Sequence, residues 1–187
     1  MTLNIERMRK LAEYMNGMPS EAAIRKKTTK QTDVPRLNMH TYLFRDTCGT
    51  VGCIAGYTCV LFDEDDPFQF DNKLEHTDRI HSQAAKHLGL TEDEAHSLFI
   101  NGHFDFKYEG TEIAELLLNI CNEYESAMAT EGECDLSRLI QAEWVALNIE
   151  KAKQRTKELE RYRGEDLGEA QVVSDLQQRL EEAQEKS

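Results

Sequence analysis

The chain has 187 residues, with 22 Lys and Arg against 35 Asp and Glu, a formal net charge of −13. Hydrophobic residues at 40% and charged residues at 30% suit a single globular domain. A balance this negative argues against direct nucleic-acid binding, where Lys and Arg must displace condensed counterions, and the longest nearly apolar run, Cys53 to Phe62, is too short for the ~20 residues of a membrane span.

Residues 4–15 place Ile5, Met8, Leu11, Ala12 and Met15 at helical spacing, and Gly17 and Pro19 stop the run. This opening reads as an amphipathic helix and not as a signal peptide. A second short helix is expected from Ser20, fading into a polar loop between Thr28 and Pro35. "RLNMHTYLF" has mixed periodicity and predicts a short strand or an extended lead-in.

The next stretch, "CGTVGCIAG", puts Cys48, Gly49, Thr50, Gly52, Cys53 and Gly56 within nine positions. With Thr47 as a capping residue, it predicts a buried helix continuing over Val51–Leu61, with Gly49, Gly52 and Gly56 on one face. Interior glycine costs about 1 kcal/mol relative to alanine, so three on one face call for a reason. Close approach of a second helix is one. Exposure of N–H groups to an anion at the helix start is the other.

After the acidic turn "DEDDPFQFD", a helix is expected over about His76–Leu88, ending at Gly89. Thr91 and Glu94 make a capping box ahead of Ala95, Leu98 and Phe99. "NGHFDF" reads as a turn and Thr111 to about Met128 as a helix, with Ile113, Leu116, Leu117 and Ile120 inward. "ATEGECD" is then a break. From Leu136 the composition is helix-forming. Val145, Ile149, Ala152, Thr156 and Leu159, then Val173, Leu176, Leu180 and Ala183, make two short heptad runs. Runs this short must pack on the body, on each other or on a partner, so a homodimer through the C-terminal helices is one expected arrangement.

Three kinds of chemistry are open to these residues. A thiol enzyme needs a depressed thiol pKa and a base within reach. Cys48 near a helix start, the six histidines (His40, His76, His81, His87, His96, His103) and Asp46 or Asp78 supply the types, but no local pattern selects among them. A zinc site could draw on Cys48 and Cys53 with His40 or Cys59, provided the thiolates converge at ~2.3 Å from one ion. The turn Asp63–Asp71 lacks the alternating acids and central glycine of a calcium loop. An anion-binding reading uses Cys48, Gly49, Thr50 and Gly52 with Lys26 and Lys27 of "RKKTTK". Packing explains the same cysteines without chemistry, and no metal or cofactor is expected. Five cysteines, an odd number, suit reduced thiols in a cytoplasmic protein.

The strings "CGTVGCIAGYT" and "AAKHLGLTEDEAHSLF" resemble a family of small uncharacterised bacterial and phage proteins. Its members carry a Cys-Gly-Thr-x-x-Cys-x-Ala-Gly segment and, downstream, Leu-Gly-Leu-Thr with Glu-Ala before Leu-Phe. The matching positions, within roughly residues 37–100, are Cys48, Gly49, Thr50, Cys53, Ala55 and Gly56, then Leu88, Gly89, Leu90, Thr91, Glu94, Ala95, Leu98 and Phe99. Tyr42 and Tyr57 stand where tryptophan is expected nearby. The resemblance implies a shared helical core and a phage or accessory-genome setting, and it brings no activity.

Charge is uneven. Residues 1–45 hold nine Lys and Arg and four Asp and Glu, leaving −18 for the remainder. The sequence therefore predicts an all-α bundle of short helices over residues 1–130 and a helical extension over 131–187. The expected function is non-enzymatic binding to a host protein with a basic surface, plausible for a factor that blocks a defence component. Sequestration of a nucleotide-like anion and a cysteine-dependent enzyme are the alternatives.

Overall fold

The N-terminal stripe of apolar side chains folds as α1 (Ile5–Met15), with Asn4 accepting from the Arg7 N–H as its cap and Met8, Leu11, Ala12 and Met15 buried. A computed structural model describes the protein over residues 2–19, 35–37, 43–46, 49–63, 73–100 and 108–163. The helix expected from Ser20 and the turns "DEDDPFQFD" and "NGHFDF" fall wholly or largely outside these residues. Three short strands follow, β1 (Arg36–Leu37), β2 (Leu43–Asp46) and β3 (Gly49–Gly52). Five helices complete the order: α2 (Ile54–Phe62), α3 (Lys73–Leu88), α4 (Glu92–Phe99), α5 (Gly110–Thr130) and α6 (Leu136–Arg163).

The architecture is an all-α bundle with ten residues paired as a small sheet. In that sheet β3 lies in the middle, parallel to β1 and antiparallel to β2, with Val51 opposite both Arg36 and Phe44. Among the helices, α1 packs on α5, α2 on α3, α5 on α6, and α4 on both α3 and α6.

Local signals set the boundaries. Thr91 and Glu94 form the expected capping box at α4, Glu109 and Glu112 form another at α5, and each answers two orphan N–H groups. Gly89 ends α3 with φ +70, and its N–H reaches the Lys86 carbonyl at 3.3 Å. The chain start lies against this corner, with the Asn4 N–H 2.8 Å from the Leu88 carbonyl.

Two expectations are corrected. Val51 and Gly52 belong to β3, and the helix begins only at Ile54. Gly49 and Gly52 therefore do not share a helix face with Gly56; β-branched Val51, flanked by Gly49, Thr50 and Gly52, pairs in a sheet instead of entering the helix. The boundary at residue 130 also does not mark an edge of the core. Leu136, Ile140 and Trp144 of α6 join the cluster that holds Leu11, Leu98, Ile113 and Leu117. The Trp144 indole N–H donates to the Leu98 carbonyl at 3.2 Å, tying α6 to α4. The buried face of α6 thus runs Leu136, Ile140, Trp144, Asn148 and Ala152 in steps of four.

Candidate functional site

The glycine-rich segment is the first site to test. As the central strand, β3 pairs along its whole length with β2 and at Val51 and Gly52 with β1 as well, so Gly49, Thr50 and Gly52 stand in a ladder and not at a helix start. The helix N-terminus lies one residue beyond the strand, where Cys53 is the cap residue, 3% exposed, with no side-chain cap hydrogen bond. Cys48, Lys26 and Lys27 lie outside the described residues. Of the six residues expected to bind an anion, the structure brings three together, in one strand.

The thiols next. Burial pushes the Cys53 thiol up to about 11 and that of Cys121 also up to about 11. Cys59 is raised further in direction, by burial first and then by the neighbouring Asp63 carboxylate, and its thiol donates to the Ile80 carbonyl at 3.5 Å. Cys134, half-buried, is raised by desolvation and by the carboxylates of Asp135, Glu131 and Glu94. A nucleophilic cysteine needs surroundings that favour thiolate; at Cys53 the backbone N–H groups of Gly56 and Ala55 at the start of α2 pull that way, and burial outweighs them. These four sulfurs are held as neutral thiols. Among the described residues no three His, Cys, Asp or Glu side chains gather as metal ligands.

A polar relay that sequence reading did not assemble joins α1, α2 and α3. Arg7 Nη1 lies 2.9 Å from His87 Nδ1, and His87 Nε2 lies 2.5 Å from Asp63 Oδ1. Arginine only donates, so His87 Nδ1 accepts and its proton sits on Nε2, given to Asp63. The Arg7 guanidinium also lies over the Phe62 ring, 5.4 Å from its centre. Asp63 caps the end of α2, so the relay clamps the ends of two helices to α1. The sequence held one signal for it, a last-turn histidine in α3, but its partners lie 24 and 80 positions away.

Acidic side chains are concentrated in one segment. Between residues 92 and 135 stand twelve Asp and Glu and one Lys. Glu112 is answered by Lys151 at 2.7 Å and Glu125 by Arg9 at 2.7 Å. Glu92, Asp93, Glu115, Glu123, Glu131, Glu133 and Asp135 are exposed. Glu131 and Asp135 flank Cys134 in sequence and Glu94 of α4 joins them by folding, so carboxylates gather around this thiol. No helix among the described residues is long and apolar enough to cross a membrane. No family model, curated protein or solved structure matches this chain.

Proposed function

We propose that the protein is a non-enzymatic binding factor whose acidic end docks on a basic surface of another protein. The observation that carries this reading is the convergence of Glu94, Glu131 and Asp135 around Cys134, with exposed Glu92, Asp93 and Glu133 in the same segments. Carboxylates gathered on one surface set up a negative potential that steers association with a basic partner. In the phage or accessory-genome setting that the sequence resemblance implies, the partner is a host protein in the host cytoplasm. A defence component whose basic groove otherwise holds nucleic acid has the matching chemistry. The neutral thiols of Cys53, Cys59, Cys121 and Cys134 favour binding over catalysis by these four residues.

The test is capture from host lysate on the immobilised full-length protein at low and high salt, beside a variant carrying Glu92→Lys, Asp93→Lys and Glu133→Lys. The expected result is a partner with a basic surface whose recovery falls with salt and is lost with the variant. Specific partners recovered equally under all three conditions would overturn the reading.

A further inference from the structure

Helix α6 has a second face. Ala142, Val145, Ile149, Ala152, Thr156 and Leu159 follow one another at steps of three and four, the spacing of a coiled-coil seam. Ala152 is buried, whereas Ala142, Val145, Ile149 and Thr156 are only half-buried and Leu159 is 42% exposed. The seam also outruns the body. The Lys151–Glu112 ion pair fixes the start of α5 beside residue 151, and from Lys153 to Leu159 every side chain except Thr156 is exposed. Helix α6 continues to Arg163, so about 18 Å of it extends past that pair at 1.5 Å per residue. A helical end of three turns is marginal in water without packing.

The two ends of α6 carry opposite charge. Lys153, Arg155, Lys157, Arg161 and Arg163 outnumber Glu158 and Glu160 at the C-terminal end, while Glu131, Glu133, Asp135 and Glu143 outnumber Arg138 around the N-terminal end. Burial raises Glu143 against the hydrogen bond from Asn119, and Glu123 of α5 adds to the rise.

We propose that the occupant of this seam is a second copy of the chain, with the two α6 helices antiparallel. A two-fold axis near residue 149 sets each basic end beside the partner's acidic end, twice over, and stacks the apolar seam between them. A parallel pair would put like ends together. This arrangement stacks the apolar seam of α6 and shares Glu131, Glu133 and Asp135 with the acidic docking surface, so its test is self-association of the purified chain alone.

The test is sedimentation of the full-length protein over micromolar to ~100 µM concentrations, with circular dichroism confirming the fold. The expected species has twice the 21.5 kDa chain mass. Leu159→Glu, at an exposed position outside the core, weakens association at least tenfold. Arg155→Glu weakens it, as does Glu143→Arg, the position that the axis sets opposite Arg155, and both substitutions in one chain restore it. Restoration in a single chain is specific to the antiparallel pair. A monomer throughout the range, from the chain's own residues 164–187 covering the seam or from the seam serving another protein, would overturn the proposal. So would a dimer indifferent to the charge reversals.

Discussion

Arg7 and His87 are joined twice, through the imidazole Nδ1 at 2.9 Å and the backbone carbonyl of His87 at 3.3 Å. The second bond caps the C-terminal end of α3 with a cation, the sign that the helix dipole favours. The first fixes the tautomer that lets His87 donate to Asp63. Two partly buried charges therefore meet through a neutral ring, and removing the ring leaves both short of a partner. His87→Ala is expected to cost about 1–3 kcal/mol in urea unfolding. A double-mutant cycle of Arg7→Met with His87→Phe should show a coupling of at least ~0.5 kcal/mol, and additive losses would contradict the relay.

The buried thiols give stability a defined alkaline limit. For Cys53 and Cys121 the folded state holds the proton up to about 11, against an ordinary value of 9.0, so the unfolded chain ionises first as pH rises. Their contribution is fully present below pH 9 and is lost through pH 11. Melting temperature should fall across that window, and Cys53→Ala with Cys121→Ala should flatten the fall. The same burial predicts alkylation order. In the native protein Cys53, Cys59 and Cys121 stay unmodified while Cys134 reacts, faster with added salt as its three carboxylates are screened. Peptide mapping after iodoacetamide treatment reads both outcomes.

Two glycines hold the chain where backbones cross. A Cβ on Gly110 would sit 2.1 Å from the Met15 carbonyl oxygen and 2.6 Å from that of Met18, and the Gly110 N–H donates to Met18 at 2.7 Å. A Cβ on Gly89 would sit 2.2 Å from the Thr2 carbonyl oxygen at φ +70. Backbone cannot swing aside as a side chain can. Gly110→Ala and Gly89→Ala are each expected to cost at least ~1–3 kcal/mol, read as a drop in the midpoint of denaturant unfolding. Unchanged midpoints would mean that the chain start and the α1–α5 junction are not packed as described.

Much of this fold was legible in sequence because the deciding signals are local. The stripe of α1, the capping box at Thr91 and Glu94 and the apolar face of α5 each lie within a few residues, and each predicted the helix observed. The start of α2 was misread because Gly49–Gly52 has no side-chain periodicity, and its strand state comes from pairing with Arg36–Leu37 and Leu43–Asp46. The core role of α6 was hidden by a competing pattern. Val145, Ile149 and Leu159 make the more regular heptad run, yet the buried residues are Ile140, Trp144 and Asn148 on another face. The relay of Arg7, His87 and Asp63 was out of reach because folding alone brings its members together.

The division between domain and extension has a direct test in the same helix. Trp144 is 1% exposed, meets Tyr108 edge-on at 5.5 Å between ring centres and donates to the Leu98 carbonyl. Beside it the Tyr108 hydroxyl donates to Asn148 Oδ1, in a helix position with no exposure. Truncating Trp144 removes a large volume that the crossing of α4, α5 and α6 cannot close over, so Trp144→Ala should cost about 3–5 kcal/mol. Leu118→Ala, at a side chain 39% exposed on α5, should stay within about 0.5 kcal/mol. A chain ending at residue 135 loses Leu136, Ile140 and Trp144 together and should lack a cooperative melting transition. If residues 131–187 were a separable extension, the shortened chain would melt like the parent, and calorimetry on the two chains decides between these outcomes.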